Sequence, residues 1–201
     1  MKMNTRSLVT LALLIALVVI LANTPIGYLN IGVISITLLC LPVIIGTLTL
    51  GILPGMIIGL AFAVTSFMLV TTDPFAGYIM VNDGIWVLLP AIFLPRILIP
   101  TTVHYTAQLL NKAPRPIRYG IAAAVGSLTN TVFFLGLLYL LWATGFISGF
   151  LGDPDVLPFF LGIVGTNGVP EAIAAAIICP PILIALDKVT HKLSGPKGSV
   201  K

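Results

Sequence analysis

The sequence predicts an all-α membrane protein, with six transmembrane helices in one compact bundle and both termini cytoplasmic. Three observations carry this prediction. Charged residues make up 8% of the 201-residue chain, the AVILMFWYC set makes up 58%, and mean hydropathy is +1.14. A soluble domain carries about a quarter charged residues and needs them to cover its surface, while disorder needs the opposite composition. Apolar runs of spanning length recur along the whole chain. The charges also sort by sign between alternate connections. At about 20 residues per span, six spans take roughly 120 residues and leave about 80 for loops and ends. Residues 1–201 therefore read as a single membrane domain with no room for a second, soluble one.

The first run, Leu8 to Ala22, follows Lys2 and Arg6 and could pass for a signal peptide. Asn23-Thr24-Pro25-Ile26-Gly27 reads as a turn and lacks a small-x-small cleavage pattern, so the run is expected to stay as the first span. The second run is Val33 to Leu50, broken by Gly51 and Pro54, and the third is Met56 to Val70. A polar stretch, Thr71 to Gly84, carries Asp73 and Asp83. The fourth run, Ile85 to Leu110, is punctuated by Pro90, Pro95 and Pro100. A basic loop with Lys112, Arg115 and Arg118 leads into the fifth, Tyr119 to Ala143. Thr144 to Gly168 is a long, partly apolar connection with room for a short re-entrant or interfacial piece. The sixth run, Pro170 to Leu186, precedes a basic tail.

Lys2, Arg6, Lys112, Arg115, Arg118, Lys188, Lys192, Lys197 and Lys201 all fall on the side of the termini, which is nine of the ten basic residues. The positive-inside rule makes that side cytoplasmic and accounts for the basic balance without nucleic acid as a partner. Asp73, Asp83, Asp153 and Asp155 fall on the other side. No tandem repeat, low-complexity tract or matched pair of broken helices stands out.

Two charges lie within apolar runs. Arg96 is about 12 residues into the fourth span, roughly 18 Å deep at 1.5 Å per residue. A charge at mid-bilayer costs at least ~2.5–3.5 kcal/mol and needs a partner or a cavity. Arg96 either binds an anionic group of a ligand, or pairs with Glu171 or with carbonyls freed by Pro95 and Pro100. Glu171 follows Pro170 at a helix start, where a carboxylate is favoured and Asn167 could cap. The same geometry suits a ligand beside free N–H groups. The fifth span carries Ser127, Thr129, Asn130 and Thr131. Serine and threonine hydroxyls commonly return to the backbone, so Asn130 is the better cavity-facing candidate. Trp86, Tyr78, Tyr28 and Trp142 could line a pocket, although interfacial anchoring is the usual role of Trp and Tyr in membranes.

Catalytic and cofactor signals are poor. No H-E-x-x-H, G-x-S-x-G or G-x-x-x-x-G-K-[ST] occurs, so the chain is expected to be no enzyme, to hold no metal or cofactor, and to take any ATP-derived drive from another chain. Cys40 and Cys179 sit inside apolar runs, without a Cys or His neighbour at metal spacing, and read as small buried hydrophobes. Ala12 and Ala16 put two small residues on one helix face, where another helix can approach closely.

Together these pieces resemble a known family. Ala12-x-x-x-Ala16, Thr24-Pro-Ile-Gly-Tyr28, Leu41-Pro-Val-Ile-Ile-Gly46, Leu94-Pro-Arg-Ile-Leu98, Gly126-Ser-Leu-Thr-Asn-Thr131 and Asn167-Gly-Val-Pro-Glu171 are similar to the substrate-binding S components of energy-coupling factor (ECF) vitamin transporters. The chain looks most like the pantothenate-type members, and folate, riboflavin and cobalamin members share the scaffold. The resemblance implies a multi-pass protein of the bacterial cell membrane that captures a vitamin from outside. It also implies docking, through the Ala12/Ala16 face, on a transmembrane T subunit carrying two ATPases. Family sites lie toward the outer face, and the residues read above as candidate substrate contacts are Arg96, Asn130, Asn167, Glu171 and Trp86. The fourth span after Arg96 is more polar and more Pro-broken than in relatives. A self-sufficient secondary transporter is the reading from another class.

Overall fold

A computed structural model describes residues 4–31, 34–72, 74–147 and 156–193. The first helix, α1 (Thr5–Ala22), contains neither Gly nor Pro and ends where Asn23 caps it, the Asn23 Nδ2 donating to the Val19 carbonyl at 2.8 Å. A short 3-10 turn, Pro25–Gly27, leads into an antiparallel hairpin, β1 (Tyr28–Ile31) and β2 (Ile34–Thr37), registered Tyr28 to Thr37 and Ile31 to Ile34. Next come α2 (Cys40–Leu50) and α3 (Ile52–Met68), joined at Gly51, whose φ of +100° favours a residue without Cβ. A 3-10 turn and the short α4 (Pro74–Asn82) precede the long α5 (Ile85–Leu109) and α6 (Arg115–Ala143). The chain closes with α7 (Val156–Ile163), a π-turn over Val164–Gly168, and α8 (Val169–Leu193).

Two expectations change. The second run is not one helix: its first residues form β2, and helix starts only at Cys40. The reason is local, because Ile34-Ser-Ile-Thr37 alternates with a period of two and is rich in β-branched residues, which suit a strand. The fold is therefore helical with one added hairpin. Among the described residues, four helices are long and apolar enough to cross a membrane: Thr5–Ala22, Ile85–Leu109, Arg115–Ala143 and Leu161–Lys188. The apolar α2 and α3 are shorter, and an 11-residue helix reaches only about 16 Å against a hydrocarbon core of about 30 Å. The Thr144–Gly168 connection holds α7 and the π-turn. Asp73, Asp153, Asp155, Lys2, Lys197 and Lys201 lie outside the described residues.

Two apolar clusters hold the bundle together. One gathers Leu14 and Val18 of α1, Val43 and Ile44 of α2, Ile58 and Phe62 of α3, Ile99 and Val103 of α5, and Ala175, Cys179 and Leu183 of α8. The other joins Val70, Ile79, Leu88, Ile92, Leu135 and Leu138. Both cysteines are free and buried, as their apolar flanks predict. At the end of the bundle where α6 begins, Tyr119 donates to Asp187 at 2.8 Å, and Arg115 lies 3.6 Å from the same carboxylate oxygen. That contact sets the basic 112–118 loop beside the end of α8.

Candidate functional site

The two apolar clusters are separated by polarity, and this separation defines the site. Along α5 the order is Ile92 of one cluster, then Arg96, then Ile99 of the other. Along α6, Ala123 and Leu135 bracket Ser127, Thr129, Asn130 and Thr131, all buried. From α7 through the π-turn to α8, Ile163 and Val164 pack on one cluster and Ala175 belongs to the other, with buried Glu171 between them. Three elements thus place their buried polar side chains at one level. Ser127, Asn130 and Thr131 stand at i, i+3 and i+4, on one face of α6.

Arg96 is 8% exposed and is held in two ways. Pro95 has no N–H, so the Ala91 carbonyl four residues earlier loses its helical donor. The Arg96 Nη1 donates to that carbonyl at 3.3 Å. The guanidinium also lies between two aromatic rings, 5.1 Å from the Phe62 centroid and 4.8 Å from that of Phe134. A desolvated cation–π contact contributes up to ~2 kcal/mol, which offsets a large part of the burial cost. Pro100 likewise frees the Arg96 carbonyl. Gly59 of α3 faces that oxygen so closely that a Cβ there would stand 2.4 Å from it.

Glu171 is 6% exposed. Its Oε1 accepts the backbone N–H of Thr37 at 2.7 Å, and its Oε2 accepts the Thr131 hydroxyl at 3.5 Å. The π-turn sits tight against α6 because Gly168 lacks a side chain: a Cβ would lie 2.9 Å from Thr131 Cγ2. Asn167, one residue earlier, is half-buried beside it.

Asn130 differs from Thr129 and Thr131. It is 8% exposed, and no hydrogen bond among the described residues reaches its Oδ1. A buried amide oxygen without a donor costs about 1–3 kcal/mol. Thr129, by contrast, has spent its hydroxyl on the Val125 carbonyl at 2.7 Å and on the Thr102 hydroxyl at 3.0 Å, a tie between α6 and α5.

The structure brings Arg96, Asn130 and Glu171 into one layer, with Asn167 at its edge. Trp86 does not join them. It is 80% exposed in the first turn of α5, where it meets no pocket wall. Trp142 packs on Tyr139 with ring centroids 5.9 Å apart, and the side chains of Tyr28 and Tyr78 lie outside the described residues. Phe62, Phe134 and the Thr37 N–H escape sequence reasoning. Phe134, four residues past Asn130, carried a spacing signal, whereas Phe62 carried none. An apolar groove of about 490 Å³ between α1 and α3 lies elsewhere. Its polar members, Asn23 and Thr65, already bond carbonyls of their own helices, so it offers a ligand no free polar group at those positions. Ala12 and Ala16 are exposed on α1, among exposed Leu8, Val9, Leu13, Leu17 and Ile20.

Comparison with known proteins agrees with this arrangement. The family model described as "ECF transporter, substrate-specific component" matches residues 6–183. The pantothenic acid transporter PanT of Lactococcus lactis subsp. cremoris (strain MG1363) is 34% identical over 166 residues, covering 77% of this chain and 79% of the relative. Several apolar helices and this match make the chain a multi-pass protein of the bacterial cell membrane. A buried polar layer inside an apolar helical bundle, together with a family match spanning most of its length, shows that the chain belongs to the substrate-specific components of the ECF transporters.

Proposed function

We propose that the protein captures pantothenate within the polar layer and delivers it to an ATP-driven importer. The observation that carries this reading is the layer itself: a deep guanidinium, an amide oxygen without a donor, and a half-buried Asn167, enclosed between two apolar clusters. Pantothenate is a small carboxylate with hydroxyl and amide groups. Its carboxylate suits Arg96 through charge-assisted bonding, and its hydroxyl and amide donors suit the Asn130 Oδ1. The likeness to PanT supports the same substrate.

The exposed Ala12/Ala16 face of α1 is the proposed docking surface for a transmembrane T subunit with two cytoplasmic ATPases. Small residues allow close helix approach, and the face is apolar along its length. The charge sorting supports six membrane segments with both termini cytoplasmic, with α2 and α3 serving as two shorter ones. Calorimetric titration of the purified protein tests the substrate. Saturable pantothenate binding is expected. No saturable binding, or tighter binding of folate, riboflavin or cobalamin, overturns the assignment. Uptake in liposomes without partner subunits or ATP would replace the importer by a self-sufficient transporter.

A further inference from the structure

Among the described residues, Glu171 ties the hairpin to the polar layer. In an antiparallel pair, N–H groups along one strand point alternately toward and away from the partner strand. The Leu38 N–H points inward and donates to the Gly27 carbonyl at 2.9 Å. The Thr37 N–H points the other way, to the free edge of β2, where it meets the Glu171 Oε1 at 2.7 Å. Glu171 stands in the first turn of α8 and is 134 residues away in the chain. Its second oxygen accepts from Thr131 of α6. One carboxylate therefore joins the end of β2, the start of α8 and the polar face of α6.

We infer that Glu171 is a positioning residue that fastens the β1–β2 hairpin to the α6–α8 wall of the ligand site, and that this fastening sets how fast bound substrate leaves. Both carboxylate oxygens are engaged by the protein's own donors. A second carboxylate, on the substrate, would be repelled by Glu171 and is better placed on the Arg96 side. The strand contributes the Thr37 backbone N–H, and the Thr37 side chain also bonds the same carboxylate, so the fastening depends on an acceptor at position 171. The inference rests on the proposed substrate only for the release rate. The fastening itself belongs to the ligand-free protein.

Amide exchange over β1 and β2 in the ligand-free protein measures the fastening directly. A hydrogen bond to a charged acceptor contributes enough that its loss should speed local opening about 10- to 100-fold. Glu171→Ala is expected to raise exchange by that range and to speed pantothenate release to a similar degree. Glu171→Gln keeps an acceptor oxygen but not the charge, and is expected to fall between the parent and Glu171→Ala in exchange. Thr37→Pro removes both Thr37 donors to Glu171, the outward N–H and the hydroxyl, and an edge strand tolerates proline. It should match Glu171→Ala at the remaining hairpin amides, and the double variant should be no worse than either single change. If Glu171→Ala fails to fold, Thr37→Pro against Glu171→Gln carries the comparison. Unchanged hairpin exchange in Glu171→Ala with weakened pantothenate affinity would show direct substrate contact and overturn the inference, as would an additive double variant. Should the parent bind no pantothenate, the substrate assignment fails while the exchange comparison still decides the fastening.

Discussion

Replacing Asn130 by Leu should strengthen the empty protein and weaken its hold on substrate. Asn130 is 92% buried, by its 8% exposure, and its Oδ1 has no hydrogen-bond donor among the described residues. An unsatisfied buried acceptor costs about 1–3 kcal/mol, and leucine fills a similar volume with no polar atom to desolvate. Removing this penalty should raise the melting temperature of the ligand-free protein in detergent. At about 2–4 °C per kcal/mol for a chain of this size, the rise is roughly 2–12 °C. In the bound state the same oxygen would accept from a substrate hydroxyl or amide. A typical net hydrogen bond of about 0.5–1.5 kcal/mol corresponds to a loss of roughly 2- to 13-fold in affinity. The substrate's donor would also be stranded, which moves the loss toward the upper end. Thermal unfolding without ligand and calorimetric titration with pantothenate, on the same preparation, give both signs. A lower melting temperature with unchanged affinity would refute the reasoning and make Asn130 a structural residue.

Three further changes test the surroundings of the site. Arg96→Ala should cost at least tenfold in pantothenate affinity and also lower the melting temperature, because it leaves the Ala91 carbonyl bare and empties the space between Phe62 and Phe134. Pro95→Ala restores a helical donor to that carbonyl, so the thermal cost of Arg96→Ala should be smaller by about 1 kcal/mol in the Pro95→Ala background; additive melting shifts would argue against the carbonyl contact. Gly168→Ala drives a Cβ to 2.9 Å from Thr131 Cγ2 and should destabilise the protein by about 1–3 kcal/mol, as overpacking does. Thr131→Ser removes that methyl, keeps the hydroxyl donor to Glu171, and should recover most of the loss in a melting assay. Ala16→Leu fills the small-residue face of α1 and should abolish copurification with the T subunit while leaving pantothenate affinity within about twofold in titration; retained assembly would move the docking surface elsewhere.

Much of the candidate site was legible in residue type. Arg96, Asn130 and Glu171 stood out because ionised and amide groups are costly inside an apolar segment, whatever the fold around them. Trp86 was drawn toward the site by its chemistry alone. Its neighbours at the start of α5 leave it exposed, and nothing in the sequence marks which way that turn faces. The hairpin left a period-two trace in Ile34–Thr37, overridden by the apolar run that contains it. The Thr37 contribution had no trace, since a backbone N–H is the same at every non-proline residue.

The sequence by itself determined the membrane class and the positions of the helical runs, because transfer of side chains into an apolar medium is local and sums along the chain. The tertiary structure decided the rest. Rotation of an apolar helix about its axis is weakly encoded when every face is apolar, so only packing could set Arg96 between Phe62 and Phe134 and leave Ala12 and Ala16 uncovered. Pairing is non-local, so only packing could bring the Thr37 N–H within 2.7 Å of Glu171 and leave the buried Asn130 Oδ1 without a donor among the described residues.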